Sequence, residues 1–257
     1  MQYKIIETHC HLDYLKAKSL DEILNEAKEQ GIEKIITIAV EPDNFDSVFN
    51  LAQKYPEVYF SQGIHPHDAK LSTSEALKTI EQRSAERKMV AVGEIGLDYH
   101  YDNSPRETQK KVFKQQLEIA IKTKKPVIIH SRDADEDMIS ILSEYAPKMP
   151  YKGVIHSFTS GEELAKKAIE LGFYLGFNGI ITFKNANNVR DIVSLCPIEK
   201  ILIETDSPFL TPVPYRGKEN APKNLPYILE KIAEIKNLSP KEVEKNCYEN
   251  SKKLFHF

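Results

Sequence analysis

The sequence predicts an α/β protein with a (β/α)8 TIM-barrel fold, formed as a single domain over residues 1–257. Eight short runs rich in Ile, Val, Tyr and Phe alternate with helical patterns along the chain. The runs are nearly continuous in apolar character, which is typical of parallel strands covered on both faces. Eight strand–helix alternations within one domain length favour a closed barrel. A doubly wound open sheet is the alternative, but it requires a glycine-rich phosphate-binding turn after an early strand, and none has the usual spacing.

The predicted elements follow one another in a regular order. The strands are 4–8, 34–40, 58–63, 89–94, 127–130, 153–156, 173–177 and 200–204. Apolar residues at three- and four-residue spacing predict helices at 20–29, 45–55, 107–122, 137–145, 162–171, 189–195, 225–236 and 240–255. Ser104 and Pro105 precede the third of these helices, and we predict them to be its N-cap and first helical residue.

Charge and cysteine content narrow the class of protein. The 35 basic and 38 acidic residues are well mixed and give a net charge of −3, so any nucleic acid must be held locally. Cys10, Cys196 and Cys247 lack metal-type spacing and read as reduced thiols of a cytoplasmic protein. No signal peptide and no apolar run of membrane-spanning length is visible. We therefore expect a cytoplasmic monomer with no membrane association and no obligate protein partner.

Two histidines close the first predicted strand. Side chains alternate along a strand, so His9 and His11 share one face and Cys10 points toward the core. Alone, a His-x-His pair is weak evidence for a metal site.

Other predicted strands end in the same way. In a barrel the active site lies at the carboxyl ends of the strands. Six of the eight histidines fall there, the exceptions being His100 and His256. The residues at these ends are His9, His11, His65, His67, Glu94, Asp98, His130, Arg132, His156, Glu204 and Asp206. Each histidine alone could be a hydrogen-bonded structural residue, and Glu94 and Asp206 could each be helix N-caps. The joint arrangement on one face is what indicates a site.

Imidazoles and carboxylates without thiolate suit divalent Zn, Mn, Co, Ni or Mg. Four histidines and two carboxylates exceed the needs of one tetrahedral ion and predict two ions that share Glu94. Such a pair polarises a phosphoryl or carbonyl oxygen and generates hydroxide at neutral pH. Asp206 would bind one ion and accept the proton of the attacking water, so Glu94 and Asp206 are the predicted catalytic residues.

These strand-end blocks resemble those of the TatD-type metal-dependent deoxyribonucleases. The similar blocks span the chain in order: 9–11, 63–67, 93–99, 130–132, 156–159, 204–208, 214–222 and 249–255. The resemblance implies a TIM barrel of the amidohydrolase superfamily. It implies that His9, His11 and Asp206 hold one ion, that His130 and His156 hold the other, and that Glu94 bridges them. It also implies divalent-metal-dependent hydrolysis of DNA phosphodiesters, typically from the 3′ end.

The chain departs from the family pattern at two places. Glu219 and Ala221 stand where the family often has Arg and Glu, so this loop loses a positive charge that could face phosphate. Ser160 precedes Gly161 in a loop where the family usually has Gly sooner after the histidine. Neither departure touches a predicted ligand, but the first weakens the expectation of tight DNA binding.

Substrate contacts are predicted from residue chemistry on the same face. Arg132 suits bidentate contact with a phosphate, and its alternative is a salt bridge to Asp133, Asp135 or Asp137. The other substrate-binding candidates are His65, His67, Arg216 and Asn220, and the tyrosines that could stack on a base are Tyr99, Tyr101 and Tyr215. A near-neutral protein of this kind fits an enzyme that grips a few nucleotides of a single-stranded DNA end.

Two other functions compete with the nuclease hypothesis. The same metal site could hydrolyse an amide, a lactone, an ester or an aminoacyl-tRNA linkage. No lysine falls within 89–94, which favours a carboxylate bridge over the modified lysine used by many superfamily relatives. A non-catalytic metal-binding or scaffold protein would have lost a ligand, and none is missing. The fold alone does not distinguish these functions.

Overall fold

A computed structural model describes residues 3–257 and shows eight parallel strands in one sheet, each paired with its sequence neighbour. The strands are β1 Ile5–Cys10, β2 Ile32–Ala39, β3 Val58–Gln62, β4 Met89–Asp98, β5 Val127–Arg132, β6 Gly153–Ile155, β7 Tyr174–Phe177 and β8 Ile201–Ile203. The helices are α1 Leu20–Glu29, α2 Phe45–Lys54, α3 Ser74–Arg83, α4 Arg106–Thr123, α5 Asp135–Tyr145, α6 Glu162–Glu170, α7 Asn187–Leu195, α8 Leu225–Lys236 and α9 Pro240–Phe255. The predicted (β/α)8 barrel is confirmed.

Helix α3 was not predicted from the sequence. Its buried side chains are only Ala76 and Ile80, so the apolar stripe is too narrow to stand out among its polar residues. The Thr73 side chain accepts a hydrogen bond from the Ala76 N–H and so caps the helix. The helix therefore depends on its cap and on packing against α4.

The predicted N-cap of α4 is wrong by one residue. Pro105 occupies the N-cap position, and the helix begins at Arg106. Ser104 is instead fully buried, donates from its hydroxyl to the His67 carbonyl and accepts from the Lys70 N–H. Its side chain thus joins the loop after β4 to the loop after β3.

Strand β4 continues four residues beyond the predicted end at Glu94. Gly96 pairs with His130 and Asp98 with Arg132 of β5. A Cβ at Gly96 would lie 2.0 Å from the His130 carbonyl oxygen, and its φ is +145°, so only glycine allows this close approach. The sequence indicates a loop at this glycine, whereas the pairing with β5 makes it strand.

The barrel interior separates into an apolar end and a polar end. A buried apolar cluster unites residues of six strands with the last turn of α9: Ile36, Ile38, Val90, Ala91, Ile128, Val154, Tyr174, Leu202, Leu254 and Phe255. Because side chains alternate along a strand, residues two positions beyond Ile128, Val154 and Leu202 face the same interior. They are His130, His156 and Glu204. Helix α9 therefore closes the amino end of the barrel, and the carboxyl end holds the polar site.

Individual hydrogen bonds join β8 to β1, where the barrel closes. The Asp206 N–H donates to the His9 carbonyl at 2.9 Å, and the His11 N–H donates to the Ser207 carbonyl at 2.7 Å. The Glu7 carboxylate accepts from the Thr205 N–H at 2.9 Å. Burial raises the pKa of Glu7 to about 8. These contacts fix His9 and Asp206, from opposite ends of the chain, side by side.

Two further expectations concern thiols and membranes. Cys10, Cys196 and Cys247 are free and buried, and Cys10 lies in the apolar core, on the opposite side of β1 from His9 as predicted. Within residues 3–257, every helix is too short or too polar to cross a membrane.

Removing the aromatic ring that closes the amino end should destabilise the barrel. We expect Phe255→Ala to lower the free energy of unfolding by about 3–5 kcal/mol, because it empties a buried aromatic site. Phe209→Ala is the matched control: Phe209 is 52% exposed, so its loss should change stability by less than about 0.5 kcal/mol. Urea denaturation followed by circular dichroism measures both. Equal stability of the two variants would contradict the role assigned to α9.

Candidate active site

The carboxyl end of the barrel opens into a pocket of about 710 Å³. Five of the six predicted metal ligands line it, and the sixth, His9, lies fully buried directly beneath. The lining ligands are His11, Glu94, His130, His156 and Asp206. The structure thus brings together all six side chains, which come from five different strands or the loops that follow them.

Glu94 is the centre of this cluster. Its Oε1 lies 2.7 Å from His156 Nε2 and 3.0 Å from His130 Nδ1, while its Oε2 lies 3.4 Å from His9 Nε2. Burial alone would raise the pKa of Glu94, but His156, His65 and His130 outweigh it and hold this pKa well below its usual range. Glu94 is therefore an ionised carboxylate surrounded by imidazoles.

Ligand atoms of this cluster fall into three groups that are compact enough to hold a metal ion. The groups are His9, His11 and Asp206; His9, Glu94 and His156; and His65, Glu94 and His130. The first group is the one predicted for one ion. His130 and His156, the two histidines predicted for the other ion, both contact Glu94 Oε1 but belong to different groups. His65, predicted as a substrate contact, supplies a ligand atom to the third.

Unpaired buried nitrogens show that the donor set fits divalent ions. Within residues 3–257, both ring nitrogens of His9 and Nδ1 of His11 and of His156 have no hydrogen-bond partner. Metal–ligand bonds of about 2.0–2.2 Å place adjacent donors of one tetrahedral ion about 3.3–3.6 Å apart. His9 Nε2 lies 3.4 Å from Glu94 Oε2 and 3.7 Å from Asp206 Oδ1, too far for a hydrogen bond and close to that spacing. Burial lowers the pKa of His9 and so favours the neutral, metal-binding imidazole.

Asp206 reaches this site through an unusual backbone conformation. Its φ is +56°, which is costly for a non-glycine residue and is retained where the surroundings determine it. The carboxylate lies 3.5 Å from His11 Nε2. Burial opposes ionisation, but His11, His9 and His156 lower the pKa of Asp206, so it is ionised at neutral pH.

Two buried carboxylates outside the predicted ligand set lie behind the histidines. Asp98 Oδ2 lies 2.9 Å from His130 Nε2 and 3.0 Å from His67 Nε2, and its Oδ1 accepts the N–H groups of His100 and Tyr101. A carboxylate on the second nitrogen of a ligand histidine fixes the ring and its tautomer. This contact with His130 was not predicted from the sequence, because the predicted strand ended at Glu94 and so placed Asp98 beyond it.

Glu204 occupies the corresponding place behind His156. Its Oε1 accepts the Ser157 N–H at 2.6 Å and lies 3.5 Å from His156 Nδ1, and the residue is fully buried. A Cβ at Gly176 would come within 2.5 Å of Glu204 Oε2, so the glycine makes room for this carboxylate. The signal was present in the sequence: Glu204 stands two residues before Asp206, on the same face of an extended segment.

Arg132 lies at the pocket as predicted and does not form the alternative salt bridge. Its guanidinium carbon stands 4.9 Å from the ring centroid of Tyr101, which is 55% exposed. Among the described residues it pairs with no carboxylate, whereas Asp133 contacts His100 and Asp137 contacts Tyr99 and Lys110. Its charge is therefore available to a ligand in the pocket.

The other predicted substrate contacts differ in their placement. His65 and His67 line the pocket, and burial together with the neighbouring His130 lowers the pKa of His65 to about 4, which keeps it neutral. Arg216 lies outside the pocket lining, exposed, with its guanidinium 3.6 Å from the Phe183 ring centroid.

The prediction that Asn220 contacts substrate is corrected by the structure. Asn220 is fully buried, and its side-chain nitrogen donates to the Thr205 and Phe209 carbonyls. Its side-chain oxygen accepts from Ala221 and Asn224. All its hydrogen-bonding capacity shapes the loop after β8, so none remains for a phosphate.

The tyrosines predicted to stack on a base also divide. Tyr101 is exposed at the pocket, whereas the Tyr99 hydroxyl donates to Asp137 and the Tyr215 hydroxyl contacts that of Tyr227. Glu219, which departs from the family pattern, accepts the N–H groups of Lys16 and Ala17. These hydrogen bonds to the Glu219 carboxylate join the loop after β8 to the loop after β1.

A parallel barrel with imidazoles and carboxylates gathered at the carboxyl ends of its strands defines the class of metal-dependent barrel hydrolases. A family model described as "TatD related DNase" matches residues 6–256. The chain therefore belongs to the TatD-related DNase family and is a metal-dependent hydrolase.

Individual relatives agree with this assignment. The chain is 40% identical over 252 residues to YabD of Bacillus subtilis (strain 168), with 98% of both chains covered. It is 36% identical over 256 residues to YcfH of Escherichia coli (strain K12), covering 98% of this chain and 96% of that one. Both are named uncharacterized metal-dependent hydrolases. The crystal structure of YjjV, a TatD homologue from Escherichia coli K12, superposes with a TM-score of 0.92 at 32% identity, covering 98% of each chain.

Metal removal should destabilise the protein. Ions that bind only the folded state stabilise it by about 2.7 kcal/mol at one hundred times Kd. For a chain of this size, we expect chelation to lower Tm by about 5–10 °C and Mn²⁺ or Zn²⁺ to restore it.

The same thermal scans on two variants show whether the cluster is the site of binding. Glu94→Gln should lose most of the metal-dependent shift, because Glu94 belongs to two of the three ligand groups. His100→Ala should retain it, because His100 contacts Asp133 at the exposed edge. A full shift in Glu94→Gln would place the ions elsewhere.

Proposed function

We propose that this protein hydrolyses DNA phosphodiester bonds at single-stranded ends, removing nucleotides from the 3′ end with two divalent metal ions. The observation that carries the proposal is the ionised Glu94 surrounded by imidazoles, within a pocket that also presents Arg132, which pairs with no carboxylate among residues 3–257. The family description "TatD related DNase" supports it.

Two ions would be held by side chains of the cluster. His9, His11 and Asp206 would hold one ion, His130 and His156 the other, and Glu94 would contact both. When bound, the ions would polarise a phosphoryl oxygen and lower the pKa of water. The ligand group of His65, Glu94 and His130 makes His65 an additional ligand candidate for the second ion.

The chain's own groups supply the remaining chemistry. Asp206 is ionised and faces the pocket, so its carboxylate would accept the proton of the attacking water. Asp98 and Glu204 would keep His130 and His156 in the orientation that ligation requires. His67, hydrogen-bonded to Asp98, and Arg132 stand on the wall of the pocket, where they would contact the phosphate.

A direct test uses metal-stripped protein with single-stranded DNA oligomers labelled at the 3′ or the 5′ end. Adding Mg²⁺, Mn²⁺ or Zn²⁺ should produce a ladder that shortens from the 3′ end. Asp206→Asn should reduce kcat by about 10²–10⁴-fold through loss of the base while leaving much of the metal bound, as measured by elemental analysis. If the oligomers stay intact with every metal although metal is bound, the nuclease proposal is contradicted. Hydrolysis of a carbonyl substrate would then be the function to test.

Arg132→Ala should raise KM for single-stranded DNA about tenfold, because it removes a charge-assisted contact to phosphate. Metal content should not change, since Arg132 lies outside all three ligand groups. Arg106→Ala is the matched control: its guanidinium is paired with Asp102 at the neighbouring edge. Equal KM values for wild type and Arg132→Ala would remove Arg132 from the substrate site.

A further inference from the structure

The loops around the pocket differ in charge from one side to the other. On one side are the loops after β2, β3 and β5 and the first turn of α5, which we call the acidic rim, with the acidic residues Glu41, Asp43, Asp68, Asp133, Asp135 and Glu136. On the other side are the loops after β7, β8 and β1, which we call the basic rim, with the cations Lys16, Lys184, Arg216 and Lys218. All four cations are exposed.

Carboxylates on the acidic rim act on one another. Burial raises the pKa of Glu41, and Asp68 and Asp43 of the same rim raise it further, as does Asp13 of the loop after β1. Glu41 and Asp68 both line the pocket. Repulsion of this kind would act equally on a phosphate that approached from this side. A phosphate that approaches past Glu41 and Asp68 therefore meets repulsion before it reaches Arg132.

Four cations of the basic rim are free of carboxylates, whereas Lys18 and Lys223 of the same loops pair with Glu26. Within residues 3–257, no ion pair involves Lys16, Lys184, Arg216 or Lys218. Glu219, the carboxylate in the same loop as Arg216 and Lys218, accepts two backbone N–H groups from the loop after β1. The Glu219 carboxylate, which stands where the family often has Arg, therefore holds the loop. Arg216 and Lys218 keep their charge for a ligand.

Apolar side chains connect the basic rim to the pocket. Ile180, Phe209 and Leu210 line the pocket on this side. Phe209 is half-exposed, and its ring centroid lies 6.1 Å from that of the predicted ligand His11. Beyond them the Arg216 guanidinium lies on the Phe183 ring. An aromatic surface next to free cations is the combination that binds single-stranded nucleic acid, because bases stack while phosphates pair.

Close contacts hold the basic rim in this shape. A Cβ at Gly179 would lie 1.9 Å from the Leu210 carbonyl oxygen, so the loops after β7 and β8 run against each other. The Val213 N–H donates to the Thr182 hydroxyl at 2.9 Å, and the Thr211 hydroxyl donates to the Lys218 carbonyl at 2.6 Å. Arg190 donates to the Phe183 carbonyl at 2.7 Å. A preformed surface loses little entropy when a ligand binds.

We propose that the part of a DNA single strand outside the pocket lies on the basic rim, with a base against Phe209 and the next phosphates on Arg216 and Lys218. The inference rests on the proposed function for its ligand. The strand would then leave the pocket on the side away from Glu41 and Asp68.

Binding of a fluorescein-labelled phosphorothioate dT10, which resists hydrolysis, to the Mn²⁺-loaded protein tests this surface by fluorescence anisotropy. Arg216→Ala/Lys218→Ala should weaken binding about tenfold and reduce the slope of log K against log salt by roughly 1.4, about 0.7 per lost phosphate contact. Phe209→Ala should weaken binding about tenfold without changing the salt slope, because it removes stacking and no charge.

The matched control is Lys78→Ala/Arg87→Ala, which removes the same two residue types from α3 and the loop before β4. Both residues are exposed, and they lie away from the pocket lining. This control should bind dT10 within twofold of wild type, with an unchanged salt slope. Thermal denaturation of every variant verifies that it is folded.

The outcomes separate the surface from the reaction. Wild-type affinity in Arg216→Ala/Lys218→Ala, equal losses in the control, or no binding by wild type would overturn the inference. Binding that depends on the basic rim without hydrolysis of any oligomer would sustain the inference and contradict the proposed nuclease activity. If the protein hydrolyses oligomers and its rim variants bind normally, the proposed nuclease activity is supported and the inference about the basic rim is contradicted.

Discussion

One buried carboxylate determines the organisation of the carboxyl end of the barrel. Glu94 is almost inaccessible to solvent, and its oxygens contact His156, His130, His65 and His9. A buried charge is costly unless it is paired, so these imidazoles and the ions that they can bind together keep the carboxylate ionised. The strands supply the geometry: each histidine comes from a different strand or from the loop after it, and each is placed by register.

A second layer of carboxylates supports the first. Asp98 stands behind His130, Glu204 behind His156, and Glu7 behind the junction of β1 and β8. Asp98, Glu204 and Glu7 each accept backbone N–H groups, so these carboxylates are held by the barrel itself. Gly176 is part of this layer, since its lack of a side chain leaves the volume that the Glu204 carboxylate fills. The histidines are thus oriented by groups that belong to the fold.

The uneven charge around the pocket would allow a nearly neutral chain to bind the polyanion that we propose as its substrate. Net charge describes the far field, whereas a strand end meets only the loops next to the pocket. There, burial and neighbouring carboxylates raise the pKa of Glu41 on one side, and within residues 3–257 Lys16, Lys184, Arg216 and Lys218 on the other side form no ion pair. Glu219 fits this arrangement, because its carboxylate accepts backbone N–H groups of the loop after β1. Local placement, more than composition, sets the character of this face.

By itself, the sequence determined the barrel, the order of its strands and the six side chains that gather at their carboxyl ends. It could do so because the apolar runs and the strand-end histidines and acids are local patterns with fixed periods. Contacts between distant segments decided the rest. Helix α3 depends on a cap and on packing, β4 extends past Gly96 because β5 pairs with it, and Asn220 turns inward to bond two carbonyls. The grouping of His65 with Glu94 and His130, the support from Asp98 and the opposed rims arise only when strands far apart in the chain become neighbours. Spacing along a strand determines which face a side chain takes, but only the tertiary structure decides what it meets there.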